Sequence, residues 1–391
     1  MTLTRLTLAS AICLALGLSA CSPDGTPSAP AESTSAAAGS TASEAAQANP
    51  FFSASALPLQ TPDFRLIREE HYLPAIEEGM KRQLIEIRAI ADNPEPASVA
   101  NTLEAMERSG DLLMRVTQVF FNIVGTDSND ALRKIQSEVA PKMAAHQDAI
   151  LLDSALFARI KSLHDGRATA GYDPETLRLI EVTYKRFVQA GAELSDADKA
   201  IVRKLNEEQA SLMTGFQQAL LKQTEASVIV DDDVAQLDGL DAGAIAAAAE
   251  AAKAAGHEGK WLLRLTNTTR QPVLTSLKNR ALRQRVWEAS ANRGLTDGDG
   301  DTRAAVLRLA KLRAERAQLL GYPNHAAYTL TTQMAGTPEA AMGMLDELAP
   351  AALANAKGEA AQIQAAIRAD GQDFELAPWD WEYYAEKVRA K

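Results

Sequence analysis

Cysteine is almost absent from this 391-residue chain, occurring only at Cys13 and Cys21, so the remaining sequence can build neither a disulfide framework nor a thiolate metal site. Sixteen prolines and twenty-two glycines are modest for the length, which removes collagen-like and low-complexity classes. Positive charge is also in deficit. Lys and Arg number 40 against 51 Asp and Glu, and a net charge of −11 argues against a nucleic-acid partner. Aromatic residues make up 5%, yet 46% of the chain is hydrophobic, enough to bury a core in two or three units. Stretches rich in Ala, Leu, Glu, Lys and Arg dominate and no repeat of fixed period is evident, so the expected class is mainly α.

Histidine is scarce too. His71, His146, His164, His257 and His325 include no two within five residues, so none shares a helix face as zinc-ligand pairs do. His257-Glu258 opens like an H-E-x-x-H helix, but Trp261 stands where the second histidine belongs. Asp297, Asp299 and Asp301 alternate like the start of a calcium loop; Thr302 then replaces the required glycine and Arg308 the closing glutamate. A solvated loop with Asp301 or Thr302 capping the next helix is expected instead. Asp231-Asp232-Asp233 reads as a solvated turn. Neither a G-x-S-x-G elbow nor a phosphate-binding glycine pattern occurs. On chemistry alone, no catalytic or metal-binding residue can be assigned.

The first 21 residues read as a lipoprotein signal peptide. Arg5 supplies the positive end, residues 6–18 the apolar stretch, and Leu18-Ser19-Ala20-Cys21 resembles the bacterial lipobox, in which the cysteine is lipidated and becomes the N-terminus. Ser22, where an Asp would resemble the inner-membrane retention signal, suggests the outer membrane facing the periplasm. Residues 22–49 hold almost only small and polar side chains and form a tether, reaching on the order of 30 Å as a flexible coil.

The body divides into an N-terminal helical region over residues 50–226, a small α/β insert over 227–275 and a second helical region over 276–391. Asp63 is a candidate cap for a helix carrying His71, Ser128 or Asn129 for another, and Pro174 suits a first helical position. Ser227 to Val230 and Trp261 to Leu265 read as strands flanking an alanine-rich helix. Helical spacing from Thr302 to Leu320 turns Arg313 and Arg316 toward the apolar arc, where each needs a partner, so they are expected to be buried structural cations. In the last helix Trp381 and Tyr384 lie opposite Trp379 and Tyr383, which predicts an aromatic surface left uncovered and prone to fray or stick.

Trp261-Leu262-Leu263-Arg264-Leu265-Thr266-Asn267-Thr268-Thr269-Arg270-Gln271-Pro272, followed by Lys278-Asn279-Arg280 and Arg283, resembles the thimet oligopeptidase family of zinc peptidases. Leu319-Leu320-Gly321-Tyr322, Met334-Ala335 and Pro378-Trp379-Asp380-Trp381-Glu382-Tyr383-Tyr384 follow in the family's order. Within it the Asn-Thr-Thr and W-D-W-E-Y-Y wording resembles the bacterial dipeptidyl carboxypeptidase branch, with oligopeptidase A as the alternative. The resemblance implies helical lobes of a two-lobed channel, short peptides as substrates and zinc for the full-length enzyme. It also implies that the H-E-x-x-H helix lies downstream of W-D-W-E-Y-Y, so the zinc-bearing half is expected to be missing from these residues, and the chain alone to be inactive and without bound zinc. A complementing C-terminal chain is then a possible partner, and a non-catalytic peptide- or partner-binding lipoprotein the alternative function.

Overall fold

The computed structural model describes residues 49–225, 227–230 and 233–390. The signal segment with Cys21, the tether up to residue 48, and Asp231 and Asp232 lie outside the described residues. Residues 49–391 form one compact unit, mainly α. Among the described residues no helix is long and apolar enough to cross a membrane.

The first layer is three helices, α1 (Tyr72–Ala91), α2 (Asp111–Thr126) and α3 (Asp130–Leu151). Leu112, Leu113, Val116, Val119 and Phe120 recur at helical spacing on α2, and this stripe packs with Tyr72 and Ile76 of α1 and Val139 of α3. Asn129 caps α3, its side-chain oxygen accepting the Leu132 N–H at 2.9 Å. Asp63 does not start a helix as expected. It accepts the Arg65 N–H in a separate turn, and α1 begins only after a 3₁₀ turn in which His71 Nδ1 accepts the Arg68 N–H.

Helices α4 (Ser154–Gly166) and α5 (Pro174–Ala190) add a second core around Leu156, Ile160, Ile180 and Phe187. Pro174 occupies the first turn of α5, and Asp173 caps it through the Glu175 and Thr176 N–H groups. The long α6 (Asp196–Glu225) lies along α3.

Strands β1 (Ser227–Val230) and β2 (Trp261–Arg264) pair antiparallel, Ser227 opposite Arg264 and Val230 opposite Trp261, in the only sheet among the described residues. Helix α7 (Ala242–Ala254) covers it. Helices α8 (Asn267–Ser276) and α9 (Arg280–Ala291) share its core through Val273, Leu274, Leu282 and Val286. Then come α10 (Arg303–Leu319), which returns to α6, α11 (His325–Leu330), α12 (Pro338–Ala369) and α13 (Trp381–Arg389).

The expectation for the last helix is corrected here. Tyr384 is 4% exposed, while Trp381, Tyr383, Ala385 and Val388 pack with Ile363, Ala366 and Ile367 of α12, and Trp379 meets Trp287 of α9. Tyr384 and Trp379 therefore have cover within the chain, while Trp381 is half-buried and keeps one side open.

Helices α1 and α2 meet where Gly79 has no side chain: a Cβ there would stand 2.8 Å from Leu113 Cα and 2.9 Å from its nitrogen. Backbone cannot rotate out of the way as a side-chain end can. Gly79→Val is expected to destabilise the chain by about 2–3 kcal/mol through overpacking. Urea unfolding would check it, and an unchanged midpoint would show that the two helices part freely.

Candidate functional site

Asp380 sits in a 3₁₀ turn (Pro378–Asp380) before α13, fully buried. Arg280 and Arg283, one turn apart at the start of α9, both reach it. Arg280 donates from Nε to Oδ1 at 3.0 Å and from Nη2 to Oδ2 at 2.8 Å, while Arg283 donates from Nη2 to Oδ1 at 2.9 Å. The Ala377 N–H adds a donor to Oδ2 at 3.2 Å. Arg283 is 1% exposed and spends its other donors on backbone carbonyls: Leu277 at 2.8 Å, Lys278 at 3.0 Å and Trp379 at 3.2 Å. Both charges thus have the directed partners that low-dielectric burial demands.

Rings enclose this ion triad. The Arg280 guanidinium lies 4.0 Å from the Phe374 ring centroid and the Arg283 guanidinium 4.2 Å from that of Tyr383, both within cation–π range. On the outer side, Trp287, Leu376, Ala377, Pro378, Trp381 and Glu382 line a cavity of about 490 Å³. Burial pushes the Glu382 carboxyl above its ordinary value, and Arg270, 3.5 Å away, opposes that rise. An aromatic and proline wall with one half-buried carboxylate can hold an extended or apolar chain segment. A second cavity of about 350 Å³ lies between α7, β2 and α8, where Thr268, Thr269 and Pro272 face Ala244 and Ala248.

Arg313 and Arg316 are both half-buried and turned toward α11. Arg316 donates to the Tyr328 hydroxyl at 3.3 Å, with its guanidinium 5.3 Å from that ring, and Tyr328 donates on to the Gln189 carbonyl. Burial first, then Arg313 and Arg316, hold the His325 imidazole below its usual value. The two cations are thus half-buried and not buried as expected, and the Tyr328 hydroxyl and ring meet Arg316 apart from the Asp380 site. Sequence reasoning placed Arg280, Arg283 and Asp380 in motifs without pairing them. The available signal was a lone Asp between two tryptophans, which a core accepts only with a cation.

His146 is buried with Nε2 2.7 Å from Gln83 Oε1, His164 stacks on Tyr184, and the other histidines stand elsewhere. Among the described residues no three His, Cys, Asp or Glu side chains come close enough to hold a metal ion. In the acidic loop, Arg303 binds Asp297 at 2.8 Å and Asp301 at 2.7 Å, and Lys222 binds Asp299 at 2.8 Å. Hydrogen bonds from Arg303 hold Asp301 down to about 2.

Residues 273–391, which span α9 to α13 and the whole Asp380 site, match peptidase family M3. The chain belongs to this peptidase family, the thimet oligopeptidase family. Within it, the chain is similar to dipeptidyl carboxypeptidase of Escherichia coli K12, at 43% identity over 341 residues, covering 87% of this chain and 50% of that one. Dipeptidyl carboxypeptidase of Salmonella typhimurium gives 41% over the same length, and oligopeptidase A of E. coli 26% over 336 residues. The chain spans about half the length of the curated relatives it matches.

The buried triad sets a measurable cost. Asp380→Asn keeps the shape but leaves Arg283 with no counter-charge in the core, so a loss of about 3–5 kcal/mol is expected. Thermal unfolding reads it. If Asp380→Asn melted like the parent while Arg283→Met were severely destabilised, the carbonyls rather than the carboxylate would be holding the arginine.

Proposed function

We propose that these residues form the peptide-receiving amino-terminal part of a zinc peptidase of the peptidyl-dipeptidase type, which removes dipeptides from the carboxyl ends of short peptides. The observation that carries this reading is the 43% identity with a dipeptidyl carboxypeptidase, against 26% with an oligopeptidase A. Zinc does not fit the residues present: their histidines are dispersed, and the 391 residues contain no H-E-x-x-H. Hydrolysis therefore requires ligands and a general base from further polypeptide, on this chain or another. The contribution of these residues is binding and orientation, with the Trp287–Trp381–Glu382 wall as the candidate contact surface. The alternative, a lipoprotein that binds peptides or a partner without cleaving them, draws on the same dispersal of titratable groups.

A direct test joins residues 50–391 to the carboxy-terminal half of the E. coli dipeptidyl carboxypeptidase and loads the fusion with zinc. Release of C-terminal dipeptides is expected, with none from residues 50–391 alone. Internal cleavage would instead support an oligopeptidase A type, and a folded, zinc-bound fusion without any cleavage would support the binding protein.

The reading includes an anchor at Cys21 in the outer membrane of a bacterial envelope, facing the periplasm, with the tether holding the body off the lipid surface. Cys21→Ser is expected to move the protein from the membrane fraction to the soluble periplasm or to leave it unprocessed. Undiminished outer-membrane fractionation of the variant would remove lipidation from the account.

A further inference from the structure

Helix α12 is docked along only part of its length. Ile363, Ala366 and Ile367 near its C-terminal end are buried against α13, whereas almost every residue from Met342 to Lys357 is exposed. Met342, Met344, Leu345, Leu348 and Leu353 are each about half exposed or more; at 100° per residue Leu345 and Leu348 lie near the middle of a half-cylinder, with Met342 and Leu353 at one edge and Met344 at the other, and Ala349, Ala352 and Ala356 between them. The stripe ends where Asn355 donates to Glu359 at 2.8 Å. The other side carries Glu339, Asp346, Glu347 and Lys357.

Two features of this otherwise alanine-rich half work against the helix. Pro350 lies inside it and removes a backbone hydrogen bond, and Gly343 and Gly358 add conformational freedom that disfavours the helix. An exposed helix of this composition needs packing to persist, and its apolar stripe is the surface that packing can use. At about 1.5 Å per residue the exposed stretch from Met342 to Leu353 is roughly 18 Å long.

We propose that the apolar side of α12 from Met342 to Leu353 is the docking surface for the polypeptide that corresponds to the other half of the M3 relatives. This rests on the peptidase reading above. Two observations select that occupant. The helix lies inside the residues that match peptidase family M3, and the relatives contain about as much sequence again as the part this chain matches. The acidic polar side opposes an anionic lipid surface, so a protein is favoured over a membrane even for a tethered chain.

The experiment co-expresses the mature chain with a separate, tagged carboxy-terminal half of the E. coli dipeptidyl carboxypeptidase. Capture of the chain is expected, and Leu345→Glu with Leu348→Glu should lower it at least tenfold. Both side chains face water in the isolated chain, so the melting curve of the double variant should stay unchanged. Leu59→Glu, at an exposed leucine far along the sequence, should leave capture intact. Failure of the parent chain to be captured, or equal capture of the double variant, would overturn the proposal. So would a homodimer in sedimentation, or binding to phosphatidylglycerol vesicles, that the double variant abolished. Capture without dipeptide release would sink the peptidase reading and keep the docking surface; release that persisted in the double variant would do the reverse.

Discussion

The carboxylate of Asp380 is out of reach of water, and the C-terminal third of the chain is arranged around that fact. A buried charge of this kind is tolerated only when fully partnered, and here both arginines come from the first turns of α9, about a hundred residues earlier in sequence. Arg283 in turn binds the carbonyls that close α8 and the one that precedes Asp380. The ion triad therefore joins the small α/β core, through α9, to the turn that launches α13. Moving any one of these elements would break directed bonds in a medium that cannot replace them.

The same device recurs at Arg159 on α4, 9% exposed, which donates to the Asn93 and Glu95 carbonyls and to Asn101 Oδ1. It fixes the proline-rich break after α1. Arg159 and Arg283 thus both hold irregular backbone, where carbonyls lack helix partners. Surface ion pairs are plentiful, but solvent screens them and they decide little.

Among the described residues no three His, Cys, Asp or Glu converge, and charged groups stand in ion pairs or in small clusters such as the Asp380 triad. His146 links α3 to α1, and Arg316 links α10 to α11 through Tyr328. A hydrolytic site needs such groups converging on one reacting atom, whereas these each satisfy a local packing demand. Beside the W-D-W-E-Y-Y turn the fold places a wall of rings and one half-buried carboxylate.

How much of this was legible in the sequence depended on the range of the interaction. The strands at Ser227 and Trp261, the cap at Asn129 and Pro174 at the head of α5 follow from nearest neighbours, and periodicity and capping exposed them. The ordered motifs from Trp261 to Tyr384 carried the family, because a long series of weak matches is improbable in combination. Arg283 and Asp380, although in those motifs, could not be paired from sequence, since nothing local states which cation a buried Asp meets across some hundred residues. Helical spacing turned Arg316 toward the apolar arc, whereas in the fold it is half-buried under a ring and hydroxyl because α11 folds back over α10. Spacing likewise put aromatics on both sides of the last helix, but only the tertiary structure decided that α12 covers Tyr384 and α9 meets Trp379. A wheel records which way a side chain faces, and the position of every other helix determines what it finds there.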